Sequence, residues 1–548
     1  MGASALGAAL VLAFALDLGR PDFWDPGESR YAETVREMLA TGSWLHPTLG
    51  FERYYDKPPA FFWIVAAAFQ TFGRHEWAAR LPSVAAAVLT IGCVVTFAWR
   101  RVGARAALLA GFILATAIQF VVLGRSVRMD MLLTWLMTAT LLRAYAVTTA
   151  EDDAAPAAWP LYAFSAAGLL VKGPVAIVLP ALILIVFLVA ARRPLPMRRL
   201  RPGPAGIAVV AEVAALYLVL AFCAPDYLWT FLFQHNVGRY VGRALAGHQE
   251  PFWYYFWILP VTFLPWTLFL PGAVSRAVRR AGRRDHLTIF LLAWCAVPFV
   301  FFTLARAKLA TYLLPIFPAL ALLVAAHLDV VLRASATLGA RLLRWPLATW
   351  TAGMAVVTVG TPIGVALAFP GYGTRAWPSV LLAVFPLLGA WAIRHGRWRL
   401  APALVGGAAL MTQVAFYRVG APVVNDFSSL RAAAAVADDL PVDAPVFAYK
   451  TRGHSFTYYG GRTLLRVRSP EAVAAVLGRD VPTAALVKRR HLEKIRGHLR
   501  APVCIWWESP SGRALLANVP RPNQSADARL VPTSASGSDT PSGDDPPC

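Results

Sequence analysis

Thirteen apolar stretches, near 1–18, 77–99, 105–124, 129–148, 158–171, 174–191, 205–223, 251–272, 287–304, 309–328, 346–369, 377–393 and 398–417, constrain this chain more than any other feature. A helix needs roughly 20 apolar residues to cross about 30 Å of hydrocarbon. In lipid the backbone must satisfy its own hydrogen bonds, so such stretches can only be helices. A polytopic α-helical membrane protein of about thirteen transmembrane helices follows. The run at 60–72 is too short to span and reads as an interfacial helix. Composition agrees: the 548 residues are 57% hydrophobic and 15% charged, where a soluble domain carries about a quarter charged residues. The formal charge of +22, from 52 Lys+Arg against 30 Asp+Glu, therefore speaks for membrane topology and anionic headgroups and not for nucleic acid.

Arginines concentrate in alternate loops, around Arg100, Arg192, Arg279, Arg341 and Arg397, and the positive-inside rule makes those loops cytoplasmic. The N-terminus is then inside. Its apolar run has the length of a signal peptide but no basic start or convincing small-residue cleavage site, and is read as the first span. Loops 19–76 and 224–250 face outward, as does everything after Arg418. Residues 1–417 form the membrane domain with these two loops. From 418 to 520 short apolar runs such as Val446–Tyr449, Ala484–Lys488 and Val503–Trp507 alternate with charged helical stretches, as in a small outward α/β domain. The Pro/Ser/Gly/Asp-rich segment 521–548 has too little apolar surface to fold and is expected to be disordered. The five cysteines show no C-x-x-C spacing, so neither a zinc ribbon nor a disulfide framework is indicated.

The outward loops hold the candidate chemistry. Asp25-Pro26-Gly27-Glu28-Ser29-Arg30-Tyr31 opens a helix that ends near Thr41-Gly42. Asp25 and Glu28 are spaced as a capping box with Pro26 in the first turn, but both are also carboxylates able to orient or deprotonate a hydroxyl. Tyr54-Tyr55-Asp56-Lys57 leads into an aromatic run that could be an interface belt, with Lys57 snorkelling. Yet Lys57, Arg125, Arg128, Lys172, Arg306 and Lys308 are all cations on the side that topology disfavours. Together they suit a phosphate at the membrane surface, where cations stabilise charge on a leaving phosphate. Asp130 is an acid at the edge of an apolar helix, either paired with Arg125 or Arg128 or acting in catalysis. His235 and His248 lack tight ligand spacing.

The ordered motifs D-P-G-E-S-R-Y-A-E, Y-D-K-P-P, R-M-D-M, V-K-G-P, H-Q-E-P-F-W-Y-Y and A-K-L-A-T-Y-L-L-P resemble the lipid A aminoarabinose transferase (ArnT-like) group of the GT-C glycosyltransferases, relatives of the protein O-mannosyltransferases. The resemblance covers roughly 20–320. It implies a GT-C fold in a bacterial inner membrane, with a periplasmic C-terminal domain and cavity. It also implies an undecaprenyl-phosphate sugar (aminoarabinose, mannose or similar) as donor, inversion at the anomeric carbon, and a lipid A, glycan or protein acceptor. Matched position by position, Lys57, Lys172 and Tyr312 would reach the donor phosphate, Arg30 and Tyr31 would line the first loop, and Asp130 would be the acid of the second. The places of Asp56 and His248 can hold a divalent metal (Zn or Mg/Mn) in the family; no other cofactor is implied. One departure stands out: the family acid ahead of x-Arg-Tyr is Gly27 here, leaving Glu28 or the displaced Asp25 to supply the carboxylate.

A transporter or flippase of lipid-linked sugar is the alternative. It would place ionisable residues near the bilayer midplane, often with internal repeats, whereas here the charges gather at the ends of spans. A scaffold with decayed catalytic residues is the third reading, with Gly27 in its favour.

Overall fold

A computed structural model describes residues 3–150, 156–238, 249–369, 371–522 and 530–531. The chain divides into two units. One comprises residues 1–18, 44–46 and 55–419, the other 19–43, 47–54 and 420–548.

The first unit is helical. Among the described residues eight helices are long and apolar enough to cross a membrane, or ten if each of two bent pairs counts as one span. The bent pairs are Ala104–Thr116 with Ile118–Gly124, and Tyr254–Thr262 with Trp266–Gly282. This is fewer than the expected thirteen. The stretches at 1–18, 158–171 and 174–191 are helical, but as Ser4–Ala15, Trp159–Lys172 and Val175–Ala190. At 1.5 Å per residue these reach only about 18 to 24 Å. The local cause is plain at the second of them: Gly173, at φ +89°, and Pro174 stop the helix directly after Lys172. Ala60–Phe72 is a short apolar helix.

Arg125 departs from its sequence reading. It is buried, donates to the carbonyls of Ala13 and Leu16 at 2.9 and 2.7 Å, and lies 3.8 Å from the ring centroid of Tyr417. Its charge is used to satisfy the open C-terminal carbonyls of the first helix. Lys308 is spent in the same way, on the carbonyls of Glu250 and Ala305 at 3.0 and 2.5 Å. Two of the anomalous cations are therefore structural.

The second unit is built on two sheets. Strands β1 (Thr48–Leu49) and β2 (Glu52–Arg53) form a short antiparallel hairpin. Strands β3 (Val446–Tyr449), β4 (Leu464–Val467), β5 (Ala484–Lys488), β6 (Val503–Glu508), β7 (Arg513–Ala517) and β8 (Leu530–Val531) form a six-stranded sheet in the order β4-β3-β5-β7-β6-β8. The first three strands of that order run parallel and the rest antiparallel. Helices His454–Gly460 and Pro470–Leu477 make the parallel crossovers, the latter capped by Ser469 Oγ accepting from the Ala472 amide at 3.2 Å. Both faces are covered, one by a core around Leu430, Phe456 and Trp506, the other by one around Val473, Leu477 and Ile495. That is why β3, and β5 and β7 apart from their terminal Lys488 and Arg513, are apolar without alternation. Strand β8 shows that part of the 521–548 segment is ordered, because two residues complete the open edge of β6; the rest of that segment past Pro522 lies outside the described residues. Cys504 is disulfide-bonded, a pairing its spacing does not disclose, while Cys93, Cys223 and Cys295 are free.

Helix Glu28–Thr41, from the segment between the first two apolar stretches, also belongs to this unit, and it packs on helix His454–Gly460. Gly42, at φ 69°, closes it. The expected capping box is absent. The N-cap is Gly27, without a side-chain cap. Asp25 instead accepts from Ser29 Oγ at 2.6 Å, from the Ser455 amide at 3.0 Å and from Ser455 Oγ.

Candidate active site

The polar groups that the helical unit brings together lie where helices Met129–Thr149 and Trp159–Lys172 adjoin the 3-10 turn Ala310–Ile316. Asp130 stands in the first turn of the first helix and Lys172 is the last residue of the second. The two helices pack against each other with the start of one and the end of the other at one level. Lys172 Nζ donates to Asp130 Oδ1 at 2.7 Å, with the side chains only 15% and 9% exposed. Arg128 and the Thr311 hydroxyl also act on this carboxylate. The helix N-terminus favours the anion, and the C-terminal carbonyls favour the cation. Lys172 Nζ further lies 5.4 Å from the ring centroid of Tyr312. An ammonium held between a carboxylate and an aromatic face is preorganised to meet a second anion.

Lys57 is tied to the same region through its backbone. Its carbonyl accepts from Tyr227 OH at 2.6 Å. Tyr227 stacks on Phe231, with centroids 6.2 Å apart, and Phe231 Cζ would stand 2.5 Å from a Cβ on Gly173, the neighbour of Lys172. A chain of buried rings therefore runs from the Lys57 backbone to the turn that ends the Lys172 helix. Tyr55, T-shaped against Tyr227 at 4.8 Å and 2.8 Å from His46 Nδ1, braces it. Asp56 is buried. The other metal candidate, His248, lies outside the described residues. Among the described residues no three His, Cys, Asp or Glu side chains gather as a metal would require.

Of the remaining candidates, Asp25, Glu28, Arg30 and Tyr31 belong to the other unit. Arg30 lies over the rings of Tyr31 and Tyr54 at 5.1 and 5.8 Å, and Tyr31 and Glu28 are buried. Burial pushes the Asp25 carboxyl above its ordinary range, against the pull of Ser29, Ser455 and Arg513. With its oxygens on Ser29 and Ser455, Asp25 joins the start of helix Glu28–Thr41 to helix His454–Gly460. Sequence reading missed Thr311, Tyr227 and Phe231. Thr311 sits inside the A-T-Y run and so was within reach of a motif argument; the two aromatics had no signal that set them apart from an interface belt.

Residues 56–229 match the family described as dolichyl-phosphate-mannose-protein mannosyltransferase. The undecaprenyl phosphate-α-4-amino-4-deoxy-L-arabinose arabinosyl transferase of Aeromonas salmonicida is 33% identical over 332 residues, 59% of this chain and 59% of that protein. The enzyme of the same name from Edwardsiella ictaluri is 31% identical over 424 residues, 74% of this chain and 75% of its own length. Among solved structures, ArnT from Cupriavidus metallidurans bound to undecaprenyl phosphate superposes with a TM-score of 0.76 at 22% identity, covering 94% of this chain and 99% of that one. The Archaeoglobus fulgidus oligosaccharyltransferase in its apo form follows with a TM-score of 0.51 at 13% identity, covering 96% of this chain and 75% of that one. The GT-C fold expected from the motifs is thus the fold observed.

Proposed function

The chain belongs to the undecaprenyl phosphate-α-4-amino-4-deoxy-L-arabinose arabinosyl transferase family, and on that premise we propose that it moves a sugar from undecaprenyl phosphate to an acceptor on the outer face of a bacterial inner membrane. The observation that carries this reading is the Asp130–Lys172 pair under the Tyr312 ring. The donor phosphate enters as a second anion for Lys172, with Arg128 and Lys57 in support. Lys172 then shares its charge between the phosphate and Asp130, and the carboxylate gains freedom to face the acceptor. The C1–O bond to the phosphate breaks and undecaprenyl phosphate departs with the bonding pair, its charge met by the cations. The acceptor oxygen bonds to C1 from the opposite face, which inverts the anomeric carbon. A hydroxyl acceptor loses its proton to Asp130, whereas a phosphate acceptor, as on lipid A, is already ionised and needs no base. The N-terminus is cytoplasmic and the sheet domain periplasmic in this reading, in keeping with the basic loops. None of the relatives and structures named above is a transporter.

The test uses purified protein in detergent, undecaprenyl-phosphate aminoarabinose and lipid A, with product read by mass spectrometry. Asp130→Asn and Lys57→Ala should abolish transfer, and Asp25→Asn should leave it measurable in whatever fraction is folded. Transfer by Asp130→Asn at the native rate would overturn the assignment. Metal content of the purified protein, measured by mass spectrometry, separately tests whether Asp56 and His248 hold a divalent ion.

A further inference from the structure

A cavity lined by arginines lies at the other end of the helical unit. A cavity of about 270 Å³ opens where helices Glu76–Val102, Met129–Thr149, Leu270–Gly282, His286–Leu304 and Phe317–Arg333 converge. Tyr145 in its wall lies 15 residues along the helix from Asp130, roughly 22 Å at 1.5 Å per residue, so this cavity is separate from the site described above. Three arginines line it, Arg101, Arg276 and Arg280, against one acid, Asp285.

One acid serves three guanidinium groups, and only Arg280 comes within ion-pair distance of it. Arg280 Nη1 is 3.9 Å from Asp285 Oδ2, an oxygen that also accepts from Thr288 Oγ1 at 2.7 Å. Arg101 lies over the Tyr145 ring at 5.7 Å, and Arg276 Nε is 3.4 Å from His327 Nδ1. Among the described residues neither Arg101 nor Arg276 meets a carboxylate within ion-pair distance. The positive-inside rule explains why arginines occur at this level of the membrane, but not why two of them line a common hollow with no carboxylate within ion-pair distance among the described residues. The rest of the wall is apolar, with Phe97, Leu291, Leu322 and Leu323. A guanidinium fork matches a phosphodiester, and an aliphatic wall matches the chain beneath it. Basic pockets between transmembrane helices on this side of a bilayer suit lipid headgroups.

We propose that this cavity binds the phosphate headgroup of an anionic phospholipid, with Arg101 and Arg276 as its two phosphate contacts and the Phe97–Leu322 wall against the glycerol and upper acyl chain.

The experiment takes the full chain, delipidated in neutral detergent, and titrates it with dioleoylphosphatidylglycerol, dioleoylphosphatidylcholine or inorganic phosphate under native mass spectrometry. Phosphatidylglycerol should form a saturable one-lipid adduct that phosphatidylcholine does not form and inorganic phosphate does not displace. The Arg101→Gln/Arg276→Gln variant should bind it roughly thirtyfold more weakly, from the loss of two cations near a lipid phosphate. Should the double variant not fold, Arg101→Gln alone, at an exposed position, should weaken binding about fivefold. Equal binding of phosphatidylcholine, displacement by inorganic phosphate, or unchanged affinity in the folded variants would each overturn the proposal.

Discussion

Replacing Lys172 by Met removes one half of an ion pair whose members are only 15% and 9% exposed. The contact is short, 2.7 Å, and the site is shielded, so the carboxylate of Asp130 is left with Arg128 and the Thr311 hydroxyl as its remaining support. Breaking a buried pair from one side costs about 3–5 kcal/mol, most of it the desolvation of the orphaned charge. Arg128 offsets part of that, which puts the expected loss near 3 kcal/mol. Replacing both partners by apolar side chains leaves no orphan, so Lys172→Met/Asp130→Val should recover most of the stability lost by Lys172→Met alone. Thermal unfolding of purified protein in detergent gives the order: native and double variant close together, the single variant clearly lower. Sugar transfer should follow a different order, with the single and double variants both inactive. A double variant as unstable as the single one would show that the pair is not energetically coupled. A double variant that still transfers sugar would show that neither group acts in the chemistry.

Two further outcomes follow from particular contacts. Glu33 is fully buried, and burial outweighs the two 2.8 Å bonds from Arg36 to push its carboxyl up to about 7, while Arg36, raised by the same contact, stays charged. An acid raised in the folded state binds its proton there over a pH range in which the unfolded chain has lost it, so stability should fall as pH rises from about 4.5 to 7, by about 3 kcal/mol, and stay level above; unfolding midpoints across that range should flatten in Glu33→Gln, and an unchanged slope would refute the assignment. Gly173→Ala combines a φ of +89° with a Cβ 2.5 Å from Phe231 Cζ, so it should cost about 2 kcal/mol or more and reduce transfer at least tenfold; Phe231→Leu added to it should restore part of the packing but not the backbone strain, and full activity in Gly173→Ala alone would show that the turn does not position Lys172.

The class of the molecule was legible without coordinates because hydrocarbon imposes one rule, that every spanning backbone be helical, and apolar stretches such as 205–223 and 287–304 record it directly. The strands Val446–Tyr449 and Ala484–Lys488 were equally visible, being apolar runs bounded by polar residues. Leu464–Val467 was not, since at the edge of the sheet its Leu-Leu-Arg-Val run is short, interrupted by Arg466 and half exposed, and does not stand out from its surroundings. The motifs marked Asp130, Lys172 and Tyr312 as chemically unusual, but sequence left open whether Asp130 pairs with Arg125, with Arg128 or with neither. Tertiary structure decided it. Antiparallel helices brought Lys172 across to Asp130, the first helix claimed Arg125 for its open carbonyls, and the α/β sheet claimed Asp25 through Ser455. A charge out of keeping with its membrane side can be read from local sequence, but the partner that explains it is fixed by packing between segments far apart in the chain, where no local pattern reaches.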